Sequence, residues 1–92
     1  MLTNSIKYST NILRMSKKEE LIERLLRKPV DMRFEEVAVI LEHYGFTLDK
    51  KNQKGSHFVY FKGDKLITIP VHNHMVKRTY LQMIIEMLDL EE

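Results

Sequence analysis

The residues best suited to chemistry lie in the run Gly55-Ser56-His57-Phe58-Val59-Tyr60, set between a lysine-rich turn and the stretch Ile67-Thr68-Ile69-Pro70-Val71-His72. A histidine titrates near neutral pH, so His57 needs little tuning to exchange a proton with a ribose hydroxyl. Lys50, Lys51 and Lys54 beside it supply positive charge for a phosphate and for the charge that builds on its oxygens during displacement. This order of residues points to acid–base chemistry on RNA. The plain alternative is a strand histidine hydrogen-bonded at a sheet edge. Alternation does not separate the two, because His57, Val59 and Phe61 form one row, Ser56, Phe58 and Tyr60 the other, and both rows are mostly apolar.

Charge is unevenly distributed around this run. From Lys50 to Arg78 seven basic residues, Lys77 among them, stand against Asp64 alone, whereas the whole chain of 92 residues carries only +2. The remainder is therefore net acidic, which suits a polyanion-facing strand region beside acidic or mixed helices. Lysines on solvated turns give the same count without any clustering in space. Tyr60 and Phe61 next to lysines offer a stacking platform for single-stranded RNA, with burial in a small core as the alternative. His72 is expected at the end of the third strand beside His57, contacting RNA or tuning the site, and His74 in solvent. The pair His72 and His74 invites zinc, but a tetrahedral site asks for a third and fourth ligand, and only His43, His57 and scattered carboxylates remain. No metal and no cofactor are expected.

The elements that must position these groups follow from periodicity. Ser16-x-x-Glu19 has the form of a capping box opening a helix over Ser16–Lys28, with Leu21, Ile22, Leu25 and Leu26 on one side and Pro29 at its exit. It is either a partner-binding arm or a helix packed on its own domain. A second helix is predicted over Met32–Tyr44 with Asp31 as its cap, ended by Gly45. Strands are predicted over Phe46–Lys51, Ser56–Lys62 and Lys65–Val71 as an antiparallel meander, with Gly63-Asp64 as the tight turn. A last helix starts between Lys77 and Thr79 and reaches Asp89, with Thr79-x-x-Gln82 as a capping box. The helices cover one face of the sheet and leave the other open.

Read from Phe34, the order is amphipathic helix, Gly45-Phe46 turn, basic strand, Gly55-Ser56-His57 strand, Ile67-Thr68-Ile69-Pro70 strand, His72, Lys77 and a second amphipathic helix. This resembles the HicA family of bacterial type II toxins over residues 30–90. The resemblance implies an α+β fold of α-β-β-β-α order, like the double-stranded-RNA-binding domain, here with an additional N-terminal helix over residues 16–28. It implies a metal-independent endoribonuclease that cleaves mRNA, with His57 as the catalytic acid–base group. Gly55 and Ser56 would set backbone approach and strand entry, and Lys50, Lys51, Lys54, Tyr60, His72 and Lys77 would contact RNA. It further implies an antitoxin of the HicB family covering the His57 face, and a place in the bacterial cytoplasm. Many members carry Gly-Ser-His-His, whereas Phe58 stands here after His57. That departure leaves the proton donor to the leaving group open among His72, His74, water and a lysine, and leaves Phe58 to stack on a base or on a partner protein. Two other readings stand beside this one: a non-catalytic RNA-binding module of the same fold, and a protein-interaction domain.

Composition sets the outer bounds. The length supports one domain. The absence of cysteine removes disulfide frameworks and thiolate chemistry. No apolar run is long enough to span a bilayer, and residues 1–15 lack the apolar block of a secretory signal, so the chain reads as soluble and unexported. Those fifteen residues are acid-free and aperiodic, either a flexible tail or the product of a start upstream of Met15.

Overall fold

A computed structural model of the protein describes residues 16–90, so the reading of residues 1–15 lies outside the described residues. Helix α1 (Lys17–Leu26) opens with the expected capping box: the Ser16 hydroxyl accepts from the Glu19 N–H, and the Glu19 carboxylate accepts from the Ser16 N–H at 2.9 Å. Two amides that a first helical turn leaves without partners are thereby satisfied. Leu21 and Leu25 enter the core and Ile22 packs against it, so this helix is docked on its own domain. Leu26, predicted on the same side, is exposed instead. Arg24 crosses to Glu36 of the next helix with a 2.6 Å ion pair.

Met32 departs from its predicted helical state. Asp31–Arg33 forms strand β1, ahead of helix α2 (Phe34–His43), and pairs antiparallel with strand β5 (Met75–Lys77). In that register Met32 lies opposite Val76, and both are fully buried. A ladder between segments this far apart in sequence outweighs the local helical pattern. Asp31 consequently does not cap the helix; Arg33 takes that position, and the Glu36 carboxylate reaches back to accept from its N–H at 3.1 Å. The Phe34 N–H, orphaned at the helix start, donates to the carbonyl of His74 at 2.8 Å. Val37, Ile40 and Leu41 carry the buried face of α2.

The three-stranded sheet has the order β2-β3-β4 and is the antiparallel meander expected. Strand β2 (Thr47–Leu48) is much shorter than the predicted Phe46–Lys51, because Phe46 turns into the core and Asp49, whose N–H still donates to the Val59 carbonyl at 2.7 Å, turns its carboxylate onto the following loop. Strands β3 (His57–Lys62) and β4 (Lys65–Pro70) pair along their length, with Lys62 opposite Lys65 across the Gly63-Asp64 turn. Gly63 has φ +61°, the left-handed geometry such a turn needs. Phe58, Tyr60, Ile67 and Ile69 face the helices, and the Phe34 ring lies 4.3 Å from that of Phe58 and 6.4 Å from that of Tyr60. Helix α3 (Arg78–Leu88) closes the core with Leu81, Ile84 and Ile85. It begins one residue before Thr79, and its cap position, Lys77, makes no side-chain capping bond, so the predicted Thr79 box does not open it.

The result is an α+β fold of the double-stranded-RNA-binding-domain type, with helices packed on one face of an antiparallel sheet, α1 added in front and a second two-stranded ladder beside it. The opposite sheet face carries His57, Phe61, Leu66 and Thr68 in the open. Among the described residues no helix is long and apolar enough to cross a membrane.

Candidate functional site

His57 is the first residue of β3, and its backbone is held on both sides. Its N–H donates to the Lys54 carbonyl at 2.9 Å and its carbonyl accepts from the Lys54 N–H at 3.3 Å, closing a turn through Gly55 and Ser56. Gly55 has φ +55°, and the place of a Cβ there is empty to 4 Å, so the backbone at the turn is open to approach. Across its other edge His57 pairs with Pro70. Residues directly opposite one another in antiparallel pairs share a face, so Lys54, His57 and Pro70 form a row on the open side of the sheet. The His57 side chain is exposed. A general base with a cation on the same face can meet a phosphodiester without rearrangement of the strand.

Phe58 points the other way, onto Phe34. The expectation that it stacks on a base or a partner gives way to a packing role. A histidine at this position would stand on the opposite face from His57, since successive strand residues alternate. Tyr60 likewise departs from its predicted RNA contact. It is 1% exposed, in the same row as Phe58, and burial above all, with Glu42 nearby, pushes its phenol above the ordinary value. Its ring is part of the core and cannot stack on RNA while the fold is intact; the exposed aromatic of the pair is Phe61.

Lys50, Lys51 and Lys54 are exposed on the loop leading into the site. Asp49 organises that loop, accepting from the Asn52 side-chain amide at 2.7 Å and from the backbone N–H groups of Lys51 and Asn52. The Asn52 amide, outweighing what desolvation adds, holds the Asp49 carboxyl below its usual range. Lys77 stands apart: it sits on β5 opposite Asp31, in the small ladder rather than in the His57 row. His72 is exposed, and the alternation from Pro70 carries it to the His57 face. Its backbone is closed onto Met75 by two hydrogen bonds, 3.0 and 2.8 Å, around Asn73 and His74, which have φ +52° and +66°. Sequence reasoning missed that two-residue turn, although an asparagine between two extended segments is a recognised signal for left-handed geometry. The turn walls an open depression of about 420 Å³ beside Gly55 and Ser56. Among the described residues no three His, Cys, Asp or Glu side chains are grouped to hold a metal ion.

The family model described as HicA toxin of bacterial toxin-antitoxin matches residues 34–90, from the first residue of α2 to the end of the described chain. No curated protein and no solved structure matches the chain. Helix α1 and strand β1 precede the matched segment, which holds the whole sheet and the His57 row. With more than half of its length matched, the chain belongs to the HicA toxin family of bacterial toxin–antitoxin systems.

Proposed function

We propose that the chain is an mRNA interferase that cleaves RNA without a metal, with His57 as its acid–base group. The observation that carries this reading is the exposed His57 side chain, fixed at the start of β3 with Lys54 directly across from it on the open face. In the reaction His57 removes the proton of a ribose 2′-hydroxyl and that oxygen attacks the adjacent phosphorus. The bond to the 5′-oxygen then breaks, and that oxygen takes a proton from solvent or from a group on the same face, where His72 stands. The products are a cyclic phosphate and a free 5′-hydroxyl. Lys54, with Lys50 and Lys51 on the loop, offsets the charge gathering on the phosphate oxygens.

Membership of a toxin–antitoxin family brings an antitoxin partner in general. We assign that partner to the HicB family and its docking surface to the open face, where it would exclude RNA by covering His57. Residues 30–90 form the toxin domain in this reading, residues 16–28 an additional helix, and the bacterial cytoplasm, where mRNA is translated, its place of action.

The test is incubation of purified protein with a defined single-stranded mRNA in chelator, wild type beside His57→Ala, with products resolved by length. Cleavage is expected from wild type and a loss of about a hundred- to ten-thousandfold from the variant. RNA bound intact by both proteins would point to a binding module of the same fold. Neither binding nor cleavage would point to a protein-interaction domain.

A further inference from the structure

The Asn73-His74 turn, with His74 among the candidate proton donors, is the stretch of non-glycine backbone near the site that holds two successive left-handed residues. Both residues are left-handed, and His74, at φ +66°, holds a geometry in which glycine is free and a Cβ is crowded against the following carbonyl. Positions of this kind persist where the surroundings hold them, and they gather at ligand-binding sites. Here the hold is visible: the His74 carbonyl accepts from the Phe34 N–H, and the turn is closed by the two His72–Met75 bonds. The imidazole itself is exposed and makes no hydrogen bond or ion pair with the described residues.

Two depressions flank this turn and share Asn73 and His74 in their walls. The smaller, about 260 Å³, sets Arg33 against Glu35, so its charge is balanced and offers a polyanion little. The larger, about 420 Å³, is free of acids and is walled by Gly55, Ser56, Phe58, Val71, Asn73 and His74. Its floor of Phe58 and Val71 is apolar, while Ser56, Asn73 and His74 bring polar groups to the rim, the mixture that small-ligand sites use. Gly55 leaves the rim open on one side, and the Ser56 carbonyl ties the two walls together by accepting from the Val71 N–H at 2.8 Å. Gly55 and Ser56 immediately precede His57 in the chain, while Phe58 and Val71 lie on the covered side, so the depression meets the His57 row at the Gly55-Ser56 turn rather than on the open face.

We propose that this depression is a nucleotide subsite, in which a base of RNA that continues from the His57 face around the Gly55-Ser56 turn lies against the His74 imidazole and is read by the Asn73 amide. The inference rests on the ribonuclease reading for the RNA strand, and on the depression alone for the nucleotide. An imidazole ring is a stacking surface that accepts any base, whereas a primary amide presents a donor and an acceptor to a base edge. His74 therefore supplies affinity and Asn73 selectivity.

The strained geometry provides a discriminating test. His74→Gly removes the ring and at the same time relieves the left-handed backbone, so its thermal midpoint is expected to stay level or rise while its RNA phenotype worsens. His74→Asn keeps a residue tolerant of that geometry and serves as a second variant should the glycine chain lose stability. Short fluorescent single-stranded RNA is titrated against the full chain carrying His57→Ala, with and without each His74 change. Binding is expected to weaken about tenfold on loss of one stacked base. In the chain that retains His57, His74→Gly and Asn73→Ala are expected to redistribute cleavage positions along a defined mRNA. Unchanged affinity and an unchanged cleavage pattern in the stably folded His74 variants would overturn the subsite. If wild type cleaves no RNA but the His74 changes still weaken oligonucleotide binding, the subsite stands and the ribonuclease reading falls.

Discussion

The two rows of strand β3 face different surroundings. Phe58 and Tyr60 look toward the helices, where Phe34, Ile67 and Ile69 enclose them, whereas His57 and Phe61 look outward with Lys54, Leu66 and Thr68 for neighbours. Both rows hang on one ladder, so a single register fixes the core and the open face together, and a slip by one residue would exchange them. The covered row determines whether the strand exists. The open row is free to carry chemistry at its exposed ends, since only Val59 at its middle is buried. Substitutions in the two rows should therefore fail in different assays.

The largest effect is expected from Tyr60→Ala. Truncating a ring that is 1% exposed should cost about 3–5 kcal/mol of stability, in line with other buried aromatics, read as a lower urea midpoint. That is a large share of the roughly 5–15 kcal/mol a domain possesses, so any loss of toxicity would follow from loss of folded protein. His57→Ala, in the other row of the same strand, should change stability by no more than about 0.5 kcal/mol while removing cleavage. If the two variants lost stability equally, the separation of the rows would be wrong.

Much of this arrangement is legible in the sequence. The Ser16 capping box, the Gly63-Asp64 turn, the meander and the face left bare by the helices all arise from local chemistry and period. What is not legible depends on contacts between distant segments. Met32 reads as the first helical residue after an Asp31 cap and becomes a strand because Val76, far along the chain, completes its ladder. Tyr60 cannot be assigned to a face from a segment in which both rows are apolar; only Phe34 and Ile67, brought up by the fold, decide it. In the site, His57 and Lys54 are readable as neighbours in sequence, but their sharing of a face follows from the tight Gly55-Ser56 turn. Lys77, equally basic and equally suggestive in the sequence, lies on the small ladder opposite Asp31.

Lys54 sharpens the same comparison at lower amplitude. On the open face and opposite His57, it is expected to meet a phosphate directly, so Lys54→Gln should reduce the slope of log affinity against log salt by about 0.7 for single-stranded RNA. Lys77→Gln, in the other ladder, should leave that slope nearly as it was. Equal reductions for both would mean that the RNA path extends past the His57 row, and a flat salt response in wild type would remove the polyanion surface altogether.

The smallest effect belongs to the covered side, where α1 is joined to α2 by Arg24 and Glu36 with side chains 50% and 19% exposed. Desolvation acts to raise the Glu36 carboxyl above its ordinary 4.5, but the Arg24 hydrogen bond, the Arg33 N–H and the two guanidinium charges prevail and lower it. A carboxylate whose folded pKa is depressed contributes stability that is complete above the unfolded value and disappears as pH falls through the folded one. The contribution should thus be present at neutral pH and fade below about pH 4.5. Because the pair is half in solvent, Arg24→Ala should cost only about 0.2–1 kcal/mol at pH 7, and the gap from wild type should close as pH falls through the depressed folded value. Cleavage measured at neutral pH should not change, since Leu21 and Leu25 keep α1 in the core without the ion pair. A stability gap that persisted in acid would mean that the Arg24 stem, rather than its charge, holds the helix in place, because protonated Glu36 offers a guanidinium little.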